Sequence, residues 1–318
     1  MIDPIIFTIP GTNIAIHWYG VLMAVGVFSA GWVTAVGLRR KGENPDFVWD
    51  GLVWAIPAGI IGARLWYCAN VTLGGNSYYL DNPMRIVRVW EGGLHFYGAV
   101  LFGGLAAYLY FRANQLDFLL LLDSVAPALL IGQAVVRPAN YINQELYGPP
   151  TELPWGIRID AAHRIPPWTD LVNFPVETTR FHPTFAYEML WNFAAAALLL
   201  WMARRREEEL KPGALFAGWL LLEGVGRFWL EWFRPDQPRL AGTGISYSRI
   251  VATLMAVVGV VWLLIRYEVV RLPFLSSGPE TYDVTTSEEA ESEMPDAGEV
   301  HNAEVEADPQ AEAPQSEA

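Results

Sequence analysis

Seven stretches of about 20 apolar residues, near 15–38, 47–69, 93–112, 117–136, 184–203, 212–231 and 245–266, dominate the sequence. A helix rises about 1.5 Å per residue, so each stretch matches the hydrocarbon thickness of a bilayer, where only internally bonded backbone is tolerated. The pattern predicts an all-α polytopic membrane protein with seven transmembrane helices. The first stretch begins near Ile14 with no preceding Lys or Arg and continues to Gly37, too long and wrongly flanked for a cleaved signal peptide. It reads as a span.

Basic residues orient the spans. Arg39, Arg40 and Lys41 follow the first, and Arg204, Arg205 and Arg206 follow the fifth, which places both loops in the cytoplasm and the N-terminus outside. The long connection at 137–183, with Pro pairs at 149–150 and 166–167, is then an outer head of short irregular elements. The formal net charge of −13 resides in the tail: Pro273 to Ala318 carries thirteen Asp or Glu and no Lys or Arg. That stretch is too polar to offset its ordering entropy, so two units are expected: a membrane domain at 1–272 and a disordered acidic cytoplasmic tail at 273–318. Cys68 is the only cysteine, which excludes an intrachain disulfide and a cysteine metal cage. No metal, cofactor or nucleic-acid partner is expected.

With this orientation the polar residues of every span converge on the outer side. His17 and Tyr19 open the first span and Arg64 nears the end of the second; His95 and Tyr97 open the third, and Arg137 and Asn140 follow the fourth. His182, Tyr187 and Glu188 open the fifth, Arg227, Glu231 and Arg234 close the sixth, and Ser246 to Arg249 open the seventh. Ionisable groups at membrane depth are functional candidates. Arginine forks among Asn, Tyr and Glu suit an anion rather than a metal, and at headgroup depth that anion is a phospholipid phosphate. Each arginine also has a structural role open to it. Arg64 and Arg234 can snorkel, Arg227 can pair with Glu231 one turn on, and Arg137 can belong to a helix-ending loop. His17 and His182 read as local structural residues.

The stretch RPANYINQELYGPPTELPWGI at 137–157 resembles the signature of the prolipoprotein diacylglyceryl transferase family, G-R-x-G-N-[FY]-x-N-x-E-x-x-G. HWYG at 17–20, GAR at 62–64, GGLHFYG at 92–98, HPTFAYE at 182–188 and GRFWLEWFRPD at 226–236 resemble further family blocks, in order. The resemblance implies transfer of the diacylglyceryl group of phosphatidylglycerol to the lipobox cysteine of a bacterial prolipoprotein, with loss of glycerol phosphate, in the plasma (inner) membrane among its lipids. By matched position it implies substrate-binding roles for Arg137, Asn140, Glu145, Gly148, Arg227, Glu231 and Arg234, with Arg137 and Arg227 holding the phosphate as catalytic groups, Asn140 donating to the headgroup and Glu231 orienting Arg227. Arg64 joins them as a candidate phosphate ligand. Three positions depart from the family pattern. The signature glycines are Val136 and Ala139, with Pro138 between; Tyr97 stands where relatives carry a proposed histidine base; and Glu223 replaces a tyrosine four residues before Arg227. His95, two residues before Tyr97, would point elsewhere on a regular helix, so both are carried as catalytic candidates.

A membrane transporter for an anionic solute is the rival class. Transporter sites sit at the bilayer midplane between repeated halves, whereas here the cluster is one-sided and no repeat appears. An intramembrane hydrolase would need a nucleophile elbow such as G-x-S-x-G, which the sequence lacks.

Overall fold

The computed structural model describes residues 2–11, 15–234, 237–240, 242–271 and 278–284. Strands β1 (Ile5–Thr8) and β2 (Ala15–His17) pair antiparallel, and eight helices follow: α1 (Trp18–Arg40), α2 (Asp46–Leu73), the single turn α3 (Tyr78–Asp81), α4 (Phe96–Ala113), α5 (Phe118–Ile142), α6 (Thr184–Arg205), α7 (Ala214–Leu230) and α8 (Tyr247–Arg266). Six of them, α1, α2, α4, α5, α6 and α8, are long and apolar enough to cross a membrane. Helix α7 has 17 residues and is prolonged by a 3-10 turn, Glu231–Phe233. The expected all-helical architecture holds, with one departure at the N-terminus: residues 15–17 extend as β2 against β1, so α1 begins at Trp18.

Helix α5 organises the bundle, packing against α1, α6 and α7, while α7 also packs along α8 and α2 pairs with α4. Lipid supplies no hydrophobic drive between helices, so close approach rests on small residues. Gly62 and Gly98 meet across the α2–α4 seam so tightly that a Cβ on either would strike the other's carbonyl oxygen. Asp117 caps α5 by accepting from Leu119 N (2.7 Å) and Leu120 N (3.1 Å).

The fourth span runs past its expected end at 136, and α5 continues through Arg137 to Ile142. Pro138 lies inside it, and Ala139 is fully buried. Val136 and Ala139, where the family signature has glycine, are thus ordinary helical positions. The head begins after this helix and has a core of its own, in which Tyr147, Ile159 and Trp168 surround Phe181. Phe181 bridges to both Pro150 and Ile157. Buried Arg164 lies 5.1 Å from the Phe181 ring and donates to the carbonyls of Ile159 and Phe174.

The tail expectation needs correction at 278–284. This segment docks on the bundle end where α1 and α6 finish: the Tyr282 hydroxyl donates to Asp123 Oδ2 (2.7 Å), Asp283 N donates to Asp117 Oδ2 (2.8 Å), and Lys211 pairs with Glu280 (2.9 Å). Tyr282 and Val284 pack on the cluster containing Leu38 and Leu120. A tyrosine and a valine in the acidic sequence give this piece apolar area to bury. Burial and the adjoining Asp123 push the Tyr282 phenol above its ordinary range. Residues 285–318, the larger part of the expected disordered tail, lie outside the described residues.

Candidate functional site

The last turns of α5 and α7 and the first turns of α6 and α8 bring three of the expected blocks, with the Ser246–Arg249 turn, together at the bundle end opposite the docked segment. Their hub is Glu188. Its Oε1 accepts from Arg137 Nη2 at 2.5 Å and faces Arg227 Nη1 at 3.4 Å. The Glu188 side chain is 6% exposed, against 18% for Arg137 and 27% for Arg227. One buried carboxylate thus compensates two half-buried guanidinium groups, a geometry that lowers their mutual repulsion and fixes both planes. Arg137 Nη1 donates to Asn140 Oδ1 (3.3 Å), Asn140 Nδ2 donates to Glu145 Oε1 (2.9 Å), and Asn143 supports the same oxygen (3.3 Å). Arg227 Nη2 lies 3.4 Å from Ser248 Oγ on α8. Arg137 Nε is buried without a hydrogen-bond partner among the described residues. A buried donor left unmatched is costly, and this one belongs to the most constrained fork of the cluster.

Glu188 is the residue that motif reading undervalued. It stands 51 residues from Arg137 and 39 from Arg227, so no local spacing signals the contact; only its place in the convergent cluster does. Glu223, one turn before Arg227, is electrostatically coupled to Glu188, Arg227 and Arg137. The group is therefore two arginines with two glutamates.

Arg227 was expected to be oriented by Glu231, but its partner is Glu188. Buried Glu231 keeps Oε1 without a hydrogen-bond partner among the described residues. Glu231 still sits one helical turn after Arg227, with helical backbone (φ −61, ψ −23) and its N bonded to Arg227 O, but the Arg227 fork is taken by Glu188 and Ser248. Glu231 instead lines a neighbouring cavity of about 220 Å³ with Arg234, Arg239, Ser246 and Arg249. The Arg249 guanidinium lies 5.7 Å from the Phe228 ring and 5.1 Å from that of Trp232.

Gly148 closes the turn between Glu145 and the head. Its N donates to His182 O (2.8 Å), and a Cβ would come within 2.9 Å of Phe233 O and of His182 Cβ. It serves packing. His182 Nδ1 lies 3.0 Å from the Tyr187 hydroxyl, which accepts from Trp155 Nε1 at 2.8 Å. Burial lowers the His182 pKa. His17, at the end of β2, is exposed.

Arg64 does not join the arginine pair. It is 3% exposed, and its guanidinium donates to Ile86 O (2.8 Å), Gly92 O (2.5 Å), Gly93 O (3.2 Å) and Arg85 O (2.5 Å). Those four carbonyls occupy its fork, so Arg64 neither snorkels nor offers a free face to phosphate; it fixes the 85–93 loop leading into α4. His95 precedes α4 with extended backbone (φ −111, ψ 126), and its ring stacks on Tyr97 at 5.5 Å. The expected helical divergence of the two therefore does not apply. Tyr97 is 64% exposed, while His95 Nδ1 is buried and without a partner among the described residues. Among the described residues, no three His, Cys, Asp or Glu side chains are grouped as metal ligands would be.

Comparison with known proteins gives one consistent result. The profile of the family described as prolipoprotein diacylglyceryl transferase matches residues 4–265. Proteins named phosphatidylglycerol–prolipoprotein diacylglyceryl transferase are similar to this chain. That of Chloroflexus aggregans is 36% identical over 81% of this chain and 87% of its own length. That of Thermosynechococcus vestitus is 36% identical over 80% and 89%, and that of Corynebacterium glutamicum is 37% identical over 76% of each.

Proposed function

Since the chain belongs to the prolipoprotein diacylglyceryl transferase family, we propose that it joins the diacylglyceryl group of phosphatidylglycerol to the cysteine thiol of a prolipoprotein lipobox. The observation that carries the mechanism is the Arg137–Glu188–Arg227 cluster. Sulfur attacks the glyceryl CH2, the C–O bond to phosphate breaks, a thioether forms, and glycerol phosphate departs with the bonding electron pair. A singly charged phosphodiester becomes a monoester, so negative charge grows on phosphate as the bond breaks. Guanidinium donors fixed in advance stabilise that growth without reorganising. Glu188 holds both forks in place, and Arg137 Nε, buried and unmatched, is assigned to a phosphate oxygen. Asn140 and Glu145 brace Arg137. Gly148 keeps the adjoining turn close enough for the peptide to approach. Glu231, with its unmatched Oε1, and Arg234 are assigned to the headgroup glycerol, whose hydroxyls donate to the carboxylate. His95 and Tyr97 are assigned to removal of the thiol proton, and Arg64 to positioning them through the 85–93 loop.

The same premise sets the membrane frame. Six spans are complemented by α7, about 26 Å long, with its 3-10 turn adding about 6 Å, which gives seven crossings. Arg39 and Arg40 end α1, and Arg204 and Arg205 end α6. By the positive-inside rule these basic ends support a cytoplasmic C-terminus and 273–318 tail, with the arginine cluster and head on the outer side; the family membership supports assignment to the bacterial plasma membrane. Residues 1–272 form the transferase unit. Purified protein incubated with phosphatidylglycerol and a lipobox peptide is expected to add one diacylglyceryl mass to the peptide and release glycerol phosphate. A solute flux without consumption of phosphatidylglycerol would instead establish a transporter.

A further inference from the structure

At the end of the bundle away from the arginine cluster, α1 and α6 both pack on α5, and a cavity of about 180 Å³ lies between them. Its apolar wall is formed by Trp32 and Val36 of α1, Pro127 of α5 and Leu200 of α6. Trp32 is 58% exposed and Val36 37% exposed, so this wall continues onto the membrane-facing surface. Its rim carries Arg40, Lys41 and Arg204. Against these three cations stands Glu207, 2.7 Å from Lys41 and 3.7 Å from Arg40. Arg204 has no hydrogen-bonding or ionic partner among the described residues, and cationic charge exceeds the one rim carboxylate. Asp123, also on the lining, is committed elsewhere, since it accepts from Gly213 N, Phe216 N and the Tyr282 hydroxyl. Tyr282 also lines the cavity.

We infer that this cavity is a second lipid site, holding an anionic glycerophospholipid of the leaflet opposite the arginine cluster, with its phosphate on Arg40 and Arg204 and an acyl chain along Trp32 and Leu200. The occupant follows from the juxtaposition. A cationic rim at helix ends binds an anion at headgroup depth, as basic pockets between membrane helices do. An apolar groove continuous with the bilayer excludes a purely soluble anion as the best fit. The site does not touch the groups assigned to diacylglyceryl transfer, and it stands or falls independently of that reaction.

The experiment counts lipids on the full chain in detergent by native mass spectrometry, titrating phosphatidylglycerol, phosphatidylcholine or free glycerol phosphate in the absence of peptide. Wild-type protein is expected to take up two phosphatidylglycerol molecules and to prefer them over phosphatidylcholine at the second position. The Arg40→Gln/Arg204→Gln double substitution removes two charges worth about fivefold each, so the second uptake weakens about 25-fold while turnover is retained. Should the double variant fold poorly, a photoreactive phosphatidylglycerol on wild-type protein must label the Trp32–Val36 segment and be competed by phosphatidylglycerol more strongly than by phosphatidylcholine. Unchanged second uptake in the folded double variant, equal filling by phosphatidylcholine, equal protection by glycerol phosphate, or labelling without headgroup preference would each overturn the inference.

Discussion

Replacing Arg137 by lysine separates the charge of the cluster from its geometry. Lysine can keep an ion pair with Glu188, which accepts from Arg137 Nη2 at 2.5 Å, so the buried carboxylate stays compensated and the fold should survive. What lysine lacks is the fork. Arg137 places Nη2 on Glu188, Nη1 on Asn140 and Nε inward without a partner among the described residues, whereas a single ammonium cannot hold Glu188 and present a fixed second donor to phosphate. Loss of one preorganised donor to developing charge costs about 3 to 4 kcal/mol. At 1.36 kcal/mol per decade, turnover falls roughly 150- to 900-fold. Affinity for phosphatidylglycerol should fall less than about tenfold, because the extra charge exists only as the C–O bond breaks. Arg227→Lys is expected to follow the same split, since Arg227 shares the same Glu188 oxygen. The assay is single-turnover transfer to a lipobox peptide with parallel lipid-binding titrations on protein whose thermal unfolding is unchanged. Near-normal turnover in both variants refutes the phosphate clamp, and a loss confined to affinity reduces the arginines to docking residues.

Three further outcomes are expected. Tyr97→Phe should reduce single-turnover transfer more than His95→Ala; the reverse order would assign the proton to the histidine, whose Nδ1 is already buried. Arg64→Lys leaves carbonyls of the 85–93 loop unmatched at about 1–3 kcal/mol each, so the melting temperature should drop markedly with little change in phosphatidylglycerol affinity, whereas selective loss of affinity would return Arg64 to the binding site. Truncation after Val284 should leave melting and turnover intact, while truncation after Arg271 removes the Tyr282–Asp123 bond and should lower melting without a large loss of turnover; a large loss at equal abundance would contradict the placement of the reaction at the far end.

The helices were legible because hydrophobic length is a one-dimensional signal, and α1, α2, α4, α5, α6 and α8 fall on the apolar runs. Boundaries were less so. Pro138 and the polar run after Val136 suggest an end to the fourth span, yet α5 absorbs both, because tertiary contacts around fully buried Ala139 outweigh local preference. Arg137, Asn140 and Arg227 could be picked out by type and position. Glu188 could be placed in the same cluster, but not its role as organiser, since a carboxylate tying two helices together leaves no spacing to read. Arg64 looked like a phosphate ligand because sequence does not reveal that backbone carbonyls 21 to 29 residues away occupy its fork. The docked tail segment escaped notice because one tyrosine and one valine hardly alter the mean character of an acidic stretch.

The Gly62–Gly98 crossing carries a consequence for how this sequence can drift. At most packed positions a larger side chain on one helix can be offset by a smaller one on its neighbour. Here the obstacle to a methyl on either glycine includes the backbone carbonyl of the other, and backbone cannot be trimmed by substitution. No second-site change rescues a first, so the two positions lack compensatory partners. The seam should therefore behave as a fixed point in mutational scans, with deleterious effects at both glycines that pairwise libraries fail to relieve.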